Sequence, residues 1–284
     1  MILRSRYTTS AKSPLEKYGK KNTSPSMINS FIYDPVKCLK NYFEGVKDKT
    51  NINFIRGQIL EDAIQKTLEG KIEKGHLEKF VQNEMATKTA FTDITEEDKE
   101  KELTYLLGDK KNKGAIANGL ECFEDLQISN VRFQTTHYET LKKTRSLIKG
   151  KTDFECYSEK LKADIVIDTK ATKQIRQIEI DNKVQGGIYH KFTGKRIFFL
   201  KCSKIRYELQ ELTKEDIYIG LETAVHVINI MENICEKFDT LEEYYQVVYP
   251  SKKYDRSDIM EKEIKKQYRK IFNTQNEYDK TIQV

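Results

Sequence analysis

The chain has 284 residues, of which 38% are hydrophobic and 33% are charged, and its formal net charge is +6. No apolar run approaches the roughly 20 residues of a membrane-spanning helix, so the sequence predicts no membrane partner. The mildly basic charge is compatible with a nucleic-acid partner but identifies none by itself.

Five cysteines are spread along the chain without any CxxC spacing, and their number is odd. They are Cys38, Cys122, Cys156, Cys202 and Cys235. A disulfide framework and a zinc site are therefore not expected. A reducing compartment fits this pattern best, and we expect a cytoplasmic protein. The lysine-rich composition, with no targeting signal, also suits a phage-encoded protein that acts in the host cytoplasm.

Residues 1–23 are predicted to form a disordered basic leader, because Arg4, Arg6 and Lys12 stand there among several Ser and Thr residues. The same composition is found in organelle transit peptides, which are the alternative. No clear amphipathic face supports that alternative.

Residues 24–127 are predicted to be a helical part of the molecule. Its main helix spans residues 54–68, where Gly57 and Glu61 share one face because they are four residues apart. A glycine inside a helix costs about 1 kcal/mol, so we expect it to permit close approach to another backbone. Glu61 would then be carried toward the same neighbour; an ordinary solvated glutamate is the alternative.

The character of the sequence changes at residue 128. Strands are predicted at residues 131–138, 149–157, 163–170, 195–202 and 206–212, and a helix at residues 181–192. This order gives an α/β fold of the α+β type, with a mixed sheet flanked by helices and preceded by a helical half. The core is expected to span residues 128–248, and residues 249–284 to form a linker and a charged C-terminal helix.

Two neighbouring strands carry the candidate chemistry. Alternate side chains of a strand share a face, so Asp168 and Lys170 point the same way while Ile165 and Ile167 point toward a core. Asp153 lies on the preceding strand. Two carboxylates and an amine on paired strands can hold a divalent metal ion beside a polarised water, which is phosphodiester-cleaving chemistry.

Basic residues are concentrated just before and just after these strands. Between residues 132 and 151 there are six basic residues against one acid. The basic residues near the strands are Lys142, Lys143, Arg145, Lys149, Lys151, Lys173, Arg176 and Lys183. They are expected to hold a phosphate backbone; a solvated lysine-rich surface is the alternative.

The order of these features resembles that of a known family. It consists of Glu61 on a helix, Gly150-x-x-Asp153, Asp168-x-Lys170 and Gln185-x-x-x-Tyr189. The chain resembles the PD-(D/E)XK nuclease superfamily in its RecB-like, phage-type exonuclease branch, from about residue 24 to about residue 212. Each motif is common by itself, and the resemblance depends on their order and spacing.

The resemblance implies a restriction-endonuclease-like core with a metal centre. Glu61, Asp153, Asp168 and the carbonyl of Thr169 would bind Mg²⁺ or Mn²⁺, which favour oxygen ligands. Lys170 would orient or deprotonate the attacking water. No iron–sulfur cluster is expected, because the late cysteine cluster of some relatives is missing.

The implied activity is that of a metal-dependent DNA exonuclease acting on ends or single strands in recombination, repair or replication. The residues expected to bind the substrate are Gln185, Tyr189, Lys142, Lys143, Arg145, Lys151 and Lys173. A recombination or replication partner protein and an oligomer are both compatible with this function. The alternatives are an endonuclease of the same fold, a non-catalytic nucleic-acid-binding protein on a nuclease scaffold, and a helical interaction protein with accidental motifs.

Overall fold

The computed structural model describes residues 12–46 and 50–247. Two compact units divide the chain, and each is built from separate stretches. Of the described residues, the smaller unit comprises 12–46, 138–150 and 221–247, and the larger unit comprises 50–137 and 151–220.

Nine α-helices lie in the described part of the chain. They are α1 (Pro25–Tyr33), α2 (Pro35–Tyr42), α3 (Ile52–Leu68), α4 (Leu77–Thr89), α5 (Glu96–Leu107), α6 (Ala115–Leu126), α7 (Ile180–Thr193), α8 (Lys214–Lys237) and α9 (Leu241–Val247). Among these described helices, none combines the length and the apolar character needed to cross a membrane.

Six strands in the described ranges form one mixed sheet. They are β1 (Asn22–Thr23), β2 (Ile128–Thr140), β3 (Leu147–Ser158), β4 (Ala163–Ala171), β5 (Arg196–Cys202) and β6 (Tyr207–Glu211). The strand order is β1-β3-β4-β5-β6, and β2 also pairs with β3. The β3–β4 and β5–β6 pairs are antiparallel, whereas β4 and β5 run parallel. A mixed sheet with flanking helices confirms the predicted α/β architecture of the α+β type at this level.

Strand β4 is buried on both faces. Ile165 and Ile167 pack into the large core formed with α3 and α6, which confirms the predicted orientation. Val166, on the face that also carries Asp168 and Lys170, packs instead against Tyr189 of α7 and its neighbours. Burial on both faces is typical of a strand that has a parallel neighbour and helices on either side.

The predicted disordered leader is wrong from residue 12 onward. A 3₁₀-helix spans Pro14–Tyr18, Ser13 caps it with its hydroxyl group, and Leu15 is fully buried. Strand β1 then pairs in parallel with the start of β3 in the smaller unit. A buried leucine and a hydrogen-bonded strand hold the segment in place. The composition, rich in Lys and Ser, gives no sign of either interaction. Residues 1–11 and the predicted linker and terminal helix at 249–284 lie outside the described residues.

Candidate active site

The larger unit brings Asp153 and Asp168 together through the register of β3 and β4. Phe154 pairs with Ile167, so the next residues along the register, Asp153 and Asp168, stand side by side on the opposite face of the sheet. The Thr169 backbone N–H donates a hydrogen bond of 3.0 Å to the Asp153 carboxylate. The two predicted carboxylates therefore occupy one place on the sheet.

Lys170 completes this arrangement from the same strand. Its Nζ lies 2.6 Å from Oδ2 of Asp168, which is only 1% exposed, and donates a hydrogen bond of 3.0 Å to Oε1 of Gln185. The lysine side chain itself remains about one third exposed, with a relative exposure of 34%. It can thus face both the buried carboxylate and a bound molecule.

Gln185 links the acid, the lysine and Tyr189. Its Nε2 donates hydrogen bonds of 2.8 Å to Oδ1 of Asp168 and 2.8 Å to the Tyr189 hydroxyl. The Tyr189 hydroxyl in turn donates to the Lys151 carbonyl at 2.7 Å. The two residues one turn apart on α7 therefore fix the side chains of β4 and the backbone of β3.

Helix α7 reaches the strands because Gly186 lets it lie close to the sheet. A Cβ atom on Gly186 would stand 2.1 Å from Cδ1 of Leu212 and 3.2 Å from one methyl group and one aromatic ring of β5. Such a contact would force the Leu212 side chain or the helix to move. The glycine inside the helix thus favours the close packing that brings Gln185 to Asp168.

Glu61 belongs to the same electrostatic group, and we call Glu61, Asp153 and Asp168 the carboxylate cluster. Burial and the charge of Asp168 raise the pKa of Glu61 to about 7. Burial, Asp168 and Glu61 together hold the pKa of Asp153 well above its ordinary range. The acids disfavour one another's ionised forms, which is the behaviour of like charges at a shared site.

Lys170 supplies the opposing charge. Burial raises the pKa of Asp168, and the Lys170 ammonium opposes that rise. Burial acts to lower the pKa of Lys170 itself, but Asp168 and Asp153 raise it above its ordinary value. Lys170 is therefore held as an ammonium ion at neutral pH, facing more than one carboxylate.

The donor set suits a hard divalent cation in two respects. Oδ2 of Asp168 is buried and accepts no hydrogen bond of ordinary geometry, although the Lys170 ammonium lies beside it. Mg²⁺ usually binds through one or two carboxylates and keeps several waters, which Asp153 and Asp168 can provide. Within residues 12–46 and 50–247, however, no three or more His, Cys, Asp or Glu side chains are grouped to hold one ion. The predicted ligand set with Glu61 and Thr169 remains a prediction.

Gly57 does not contact another part of the described backbone, as its position in the helix had suggested. Among the described residues, nothing lies within 4 Å of a Cβ atom built on Gly57, so a close approach of another described backbone segment, as predicted, is wrong. The glycine instead leaves open space one helical turn before Glu61.

The predicted basic residues fall into both units. Lys151 is exposed in the larger unit and its charge lowers the pKa of Glu61, opposing the effects of burial and Asp168. Lys173, in the same unit, forms an ion pair of 3.0 Å with Glu102. In the smaller unit Lys142 and Lys143 are exposed.

Arg145 is engaged within the smaller unit. It forms ion pairs with Glu232, at 3.3 Å, and with Glu236. Glu232 is almost fully buried and also accepts hydrogen bonds of 2.7 Å from the backbone and the hydroxyl of Ser146. Arg145 therefore stabilises the smaller unit, whether or not it also touches a substrate.

Two charged residues of the site were missed from the sequence. Lys201 of β5 is the register partner of Lys170, and Asp181 at the start of α7 contributes to the raised pKa values of Asp168 and Lys170. The sequence indicates Lys201 only through its position: it is a single lysine directly after the apolar run Ile197–Leu200, in the predicted strand that follows the Asp168-x-Lys170 motif.

Comparisons with known proteins leave the family open. No family model matches the chain, and no curated protein matches it. One solved structure that it resembles is described as the crystal structure of SSO0001; the identity is 15%, the TM-score is 0.30, and the match covers 61% of this chain and 84% of that one. A likeness of this size carries no argument about fold or function.

Proposed function

We propose that the chain is a metal-dependent DNA exonuclease of the PD-(D/E)XK type, which hydrolyses phosphodiester bonds at DNA ends or in single strands. The observation that supports it most is the convergence of Asp153, Asp168 and Lys170 on paired strands, with the Lys170 ammonium 2.6 Å from Asp168. An accidental set of motifs would leave these residues scattered. The mixed sheet flanked by helices is compatible with the nuclease fold.

In this proposal Asp153 and Asp168 hold the metal ion, and Glu61 adds negative charge beside them. When bound, Mg²⁺ or Mn²⁺ neutralises the phosphodiester and makes a bound water easier to deprotonate. The raised pKa values of all three acids fit this function, because a bound cation would offset the burial that raises all of them and the repulsion that adds to it at Glu61 and Asp153.

Lys170 acts as a cation rather than as a base. Its raised pKa keeps the ammonium charged, so it orients the attacking water and stabilises the negative charge that develops on the phosphate. Gln185 is a positioning residue, because its amide group fixes both the ammonium and the Asp168 carboxylate. The exonuclease assignment and the choice of DNA come from the family resemblance.

The experiment is degradation of end-labelled linear DNA, single- and double-stranded, beside closed circular DNA, with Mg²⁺, with Mn²⁺ and with EDTA. We compare the wild type with Lys170→Ala and with Lys160→Ala. Lys160 is exposed in the turn at the far end of β4, so its substitution removes the same charge without touching the site.

We expect metal-dependent loss of linear DNA only, unchanged in Lys160→Ala and reduced by at least about a hundredfold in Lys170→Ala. Cutting of the circles would identify an endonuclease instead. Salt-sensitive binding without cleavage by any of the three proteins would overturn the catalytic proposal and leave a binding module.

A further inference from the structure

A cavity of about 540 Å³ opens beside Lys170 in the larger unit. Its charged lining residues are Lys170, Lys173, Arg176, Lys201 and Glu179. The remaining lining residues are threonine, glutamine and asparagine, so none of the described side chains that line it is apolar or aromatic. With four cations against one acid, this cationic cavity is unsuited to an apolar ligand and suited to an anionic one.

Lys170 and Lys201 form the inner wall of the cationic cavity. They are register partners on the parallel strands β4 and β5, which puts their side chains next to each other on one face. Like charges placed directly opposite in a sheet are destabilising. A pair of neighbouring lysines that costs folding free energy indicates a use for the combined charge.

Lys201 carries its charge almost entirely out of water. It is 6% exposed, and its Nζ donates hydrogen bonds of 2.6 Å to the Arg176 carbonyl and 3.2 Å to the Gln177 carbonyl. Burial lowers the pKa of Lys201 and Lys170 acts in the same direction; the charges of Glu179, Glu208 and Asp181 oppose this lowering without cancelling it. Both hydrogen-bond acceptors of the ammonium group are neutral, so a further anion close to it would stabilise the charge.

The other two cations lie on the exposed loop between β4 and α7. The Arg176 side chain is 70% exposed; it donates a hydrogen bond of 3.4 Å to the Gln174 side chain and lies 3.9 Å from Glu179. Lys173 is 63% exposed and pairs with the buried Glu102. Tyr105, also of α5, donates hydrogen bonds to the carbonyls of Thr172 and Cys202, so the start of this loop is held in place.

We infer that the cationic cavity binds a phosphate group of a polynucleotide, one that lies next to the phosphate at the carboxylate cluster. Lys170 borders both places, and the absence of aromatic side chains in the lining favours the sugar–phosphate backbone over a base. This inference rests on the proposed function for the identity of the ligand. The group is either a terminal phosphate or an internal phosphodiester, which share the chemistry that Lys201 and Arg176 recognise.

The test measures binding without cleavage. Short single-stranded oligonucleotides with a 5′-phosphate or a 5′-hydroxyl are titrated in EDTA over a series of salt concentrations, with inorganic phosphate as a competitor. The variants are Lys201→Met, which keeps the length of the buried stem, and Arg176→Gln, an exposed substitution that leaves the carbonyl contacts of Lys201 intact. Lys160→Gln is the matched control, and circular dichroism verifies folding.

We expect the dissociation constant to rise about tenfold in Lys201→Met and the salt slope to fall by about 1 in both variants. If the variants lose affinity only for the 5′-phosphorylated oligonucleotide, the cavity binds a terminal phosphate. If they lose affinity equally for both oligonucleotides, it binds an internal phosphodiester. If Arg176→Gln and Lys201→Met both bind like Lys160→Gln, or if the wild type binds neither strand, the inference is wrong.

Cleavage measured in parallel separates this inference from the proposed function. If the wild type cleaves DNA with Mg²⁺ but the cavity variants bind DNA as tightly as the wild type, only the inference is wrong. If the wild type does not cleave DNA but the cavity variants bind DNA more weakly, only the proposed nuclease activity is wrong.

Discussion

The ammonium group of Lys170 lies 2.6 Å from the carboxylate of Asp168, two residues earlier on the same strand. Strand alternation puts both side chains on one face, where a carboxylate that is 1% exposed needs a compensating charge. One ammonium group faces three acids, because Asp168 also raises the pKa values of Asp153 and Glu61. Ionising all three acids would leave an excess of negative charge at the site, which a divalent cation would offset.

The first prediction concerns the metal ion. Titrating the wild type with Mg²⁺ should raise its melting temperature, because a ligand that binds only the folded state stabilises it. Asp168→Asn should lose most of this increase, since the substitution removes the charge of the most buried carboxylate of the cluster. Thermal unfolding of both proteins with Mg²⁺ and with EDTA measures the increase in melting temperature.

Asp164→Asn is the matched control, because Asp164 is exposed on the same strand. An Mg²⁺ effect that is equal in the two variants would place the cation somewhere other than at the carboxylate cluster.

The second prediction concerns the pH dependence of stability without metal. Glu61 has a pKa of about 7 in place of the ordinary 4.5, so the folded state holds this proton more tightly than the unfolded state. Its contribution is therefore fully present below pH 4.5 and is lost as the pH rises to about 7. The loss amounts to at most about 3 kcal/mol.

Glu61→Gln cannot titrate, so its free energy of unfolding relative to the wild type should increase across that pH range. Urea unfolding in EDTA at a series of pH values measures the difference. A difference that stays constant with pH would show that Glu61 is solvated and uncoupled from Asp168.

The motif strands could be predicted because their signal is local. Strand β4 was expected at residues 163–170 and spans Ala163–Ala171, since its apolar alternation and the polar turn before it fix both ends. The position of Gln185 and Tyr189 on a helix also followed from local periodicity. What the sequence could not supply was the parallel pairing of β4 with β5, which puts Lys201 beside Lys170. Such pairing is decided by tertiary packing and leaves no trace in either strand alone.

The third prediction concerns Glu155, which joins three elements of the larger unit. Its carboxylate contacts Nε2 of His137 at 2.7 Å, the Thr152 hydroxyl at 2.9 Å and Nζ of Lys195 at 2.8 Å. Burial acts to raise the pKa of Glu155, but these hydrogen-bond donors lower it to about 2. Glu155→Gln should cost about 3 kcal/mol of stability at neutral pH, because Lys195 is left without its buried partner.

The pH dependence gives this prediction a second check. A lowered pKa means that the contribution of Glu155 is present above the ordinary 4.5 and is lost as the pH falls toward 2. The difference in the free energy of unfolding between the wild type and Glu155→Gln should therefore become smaller at acidic pH. Urea unfolding at a series of pH values measures it. Glu159→Gln, an exposed control on the neighbouring turn, should unfold like the wild type at every pH.

The last prediction concerns the open space beside Glu61. Gly57 weakens helix α3 without a packing reason in the described structure, because a Cβ atom there would touch none of the described residues within 4 Å. Gly57→Ala should therefore stabilise the protein by about 1 kcal/mol. If a substrate strand uses the space, Gly57→Leu should lower DNA cleavage while the melting temperature stays at or above that of the wild type.

The matched control is Asn83→Leu, which adds a similar side chain to the exposed face of α4. Cleavage rates and melting temperatures of the two leucine variants are compared. If only Gly57→Leu loses cleavage and its melting temperature is not lowered, the leucine blocks access of the substrate and does not damage the fold. Full activity in Gly57→Leu would mean that the substrate approaches the carboxylate cluster from another side of α3.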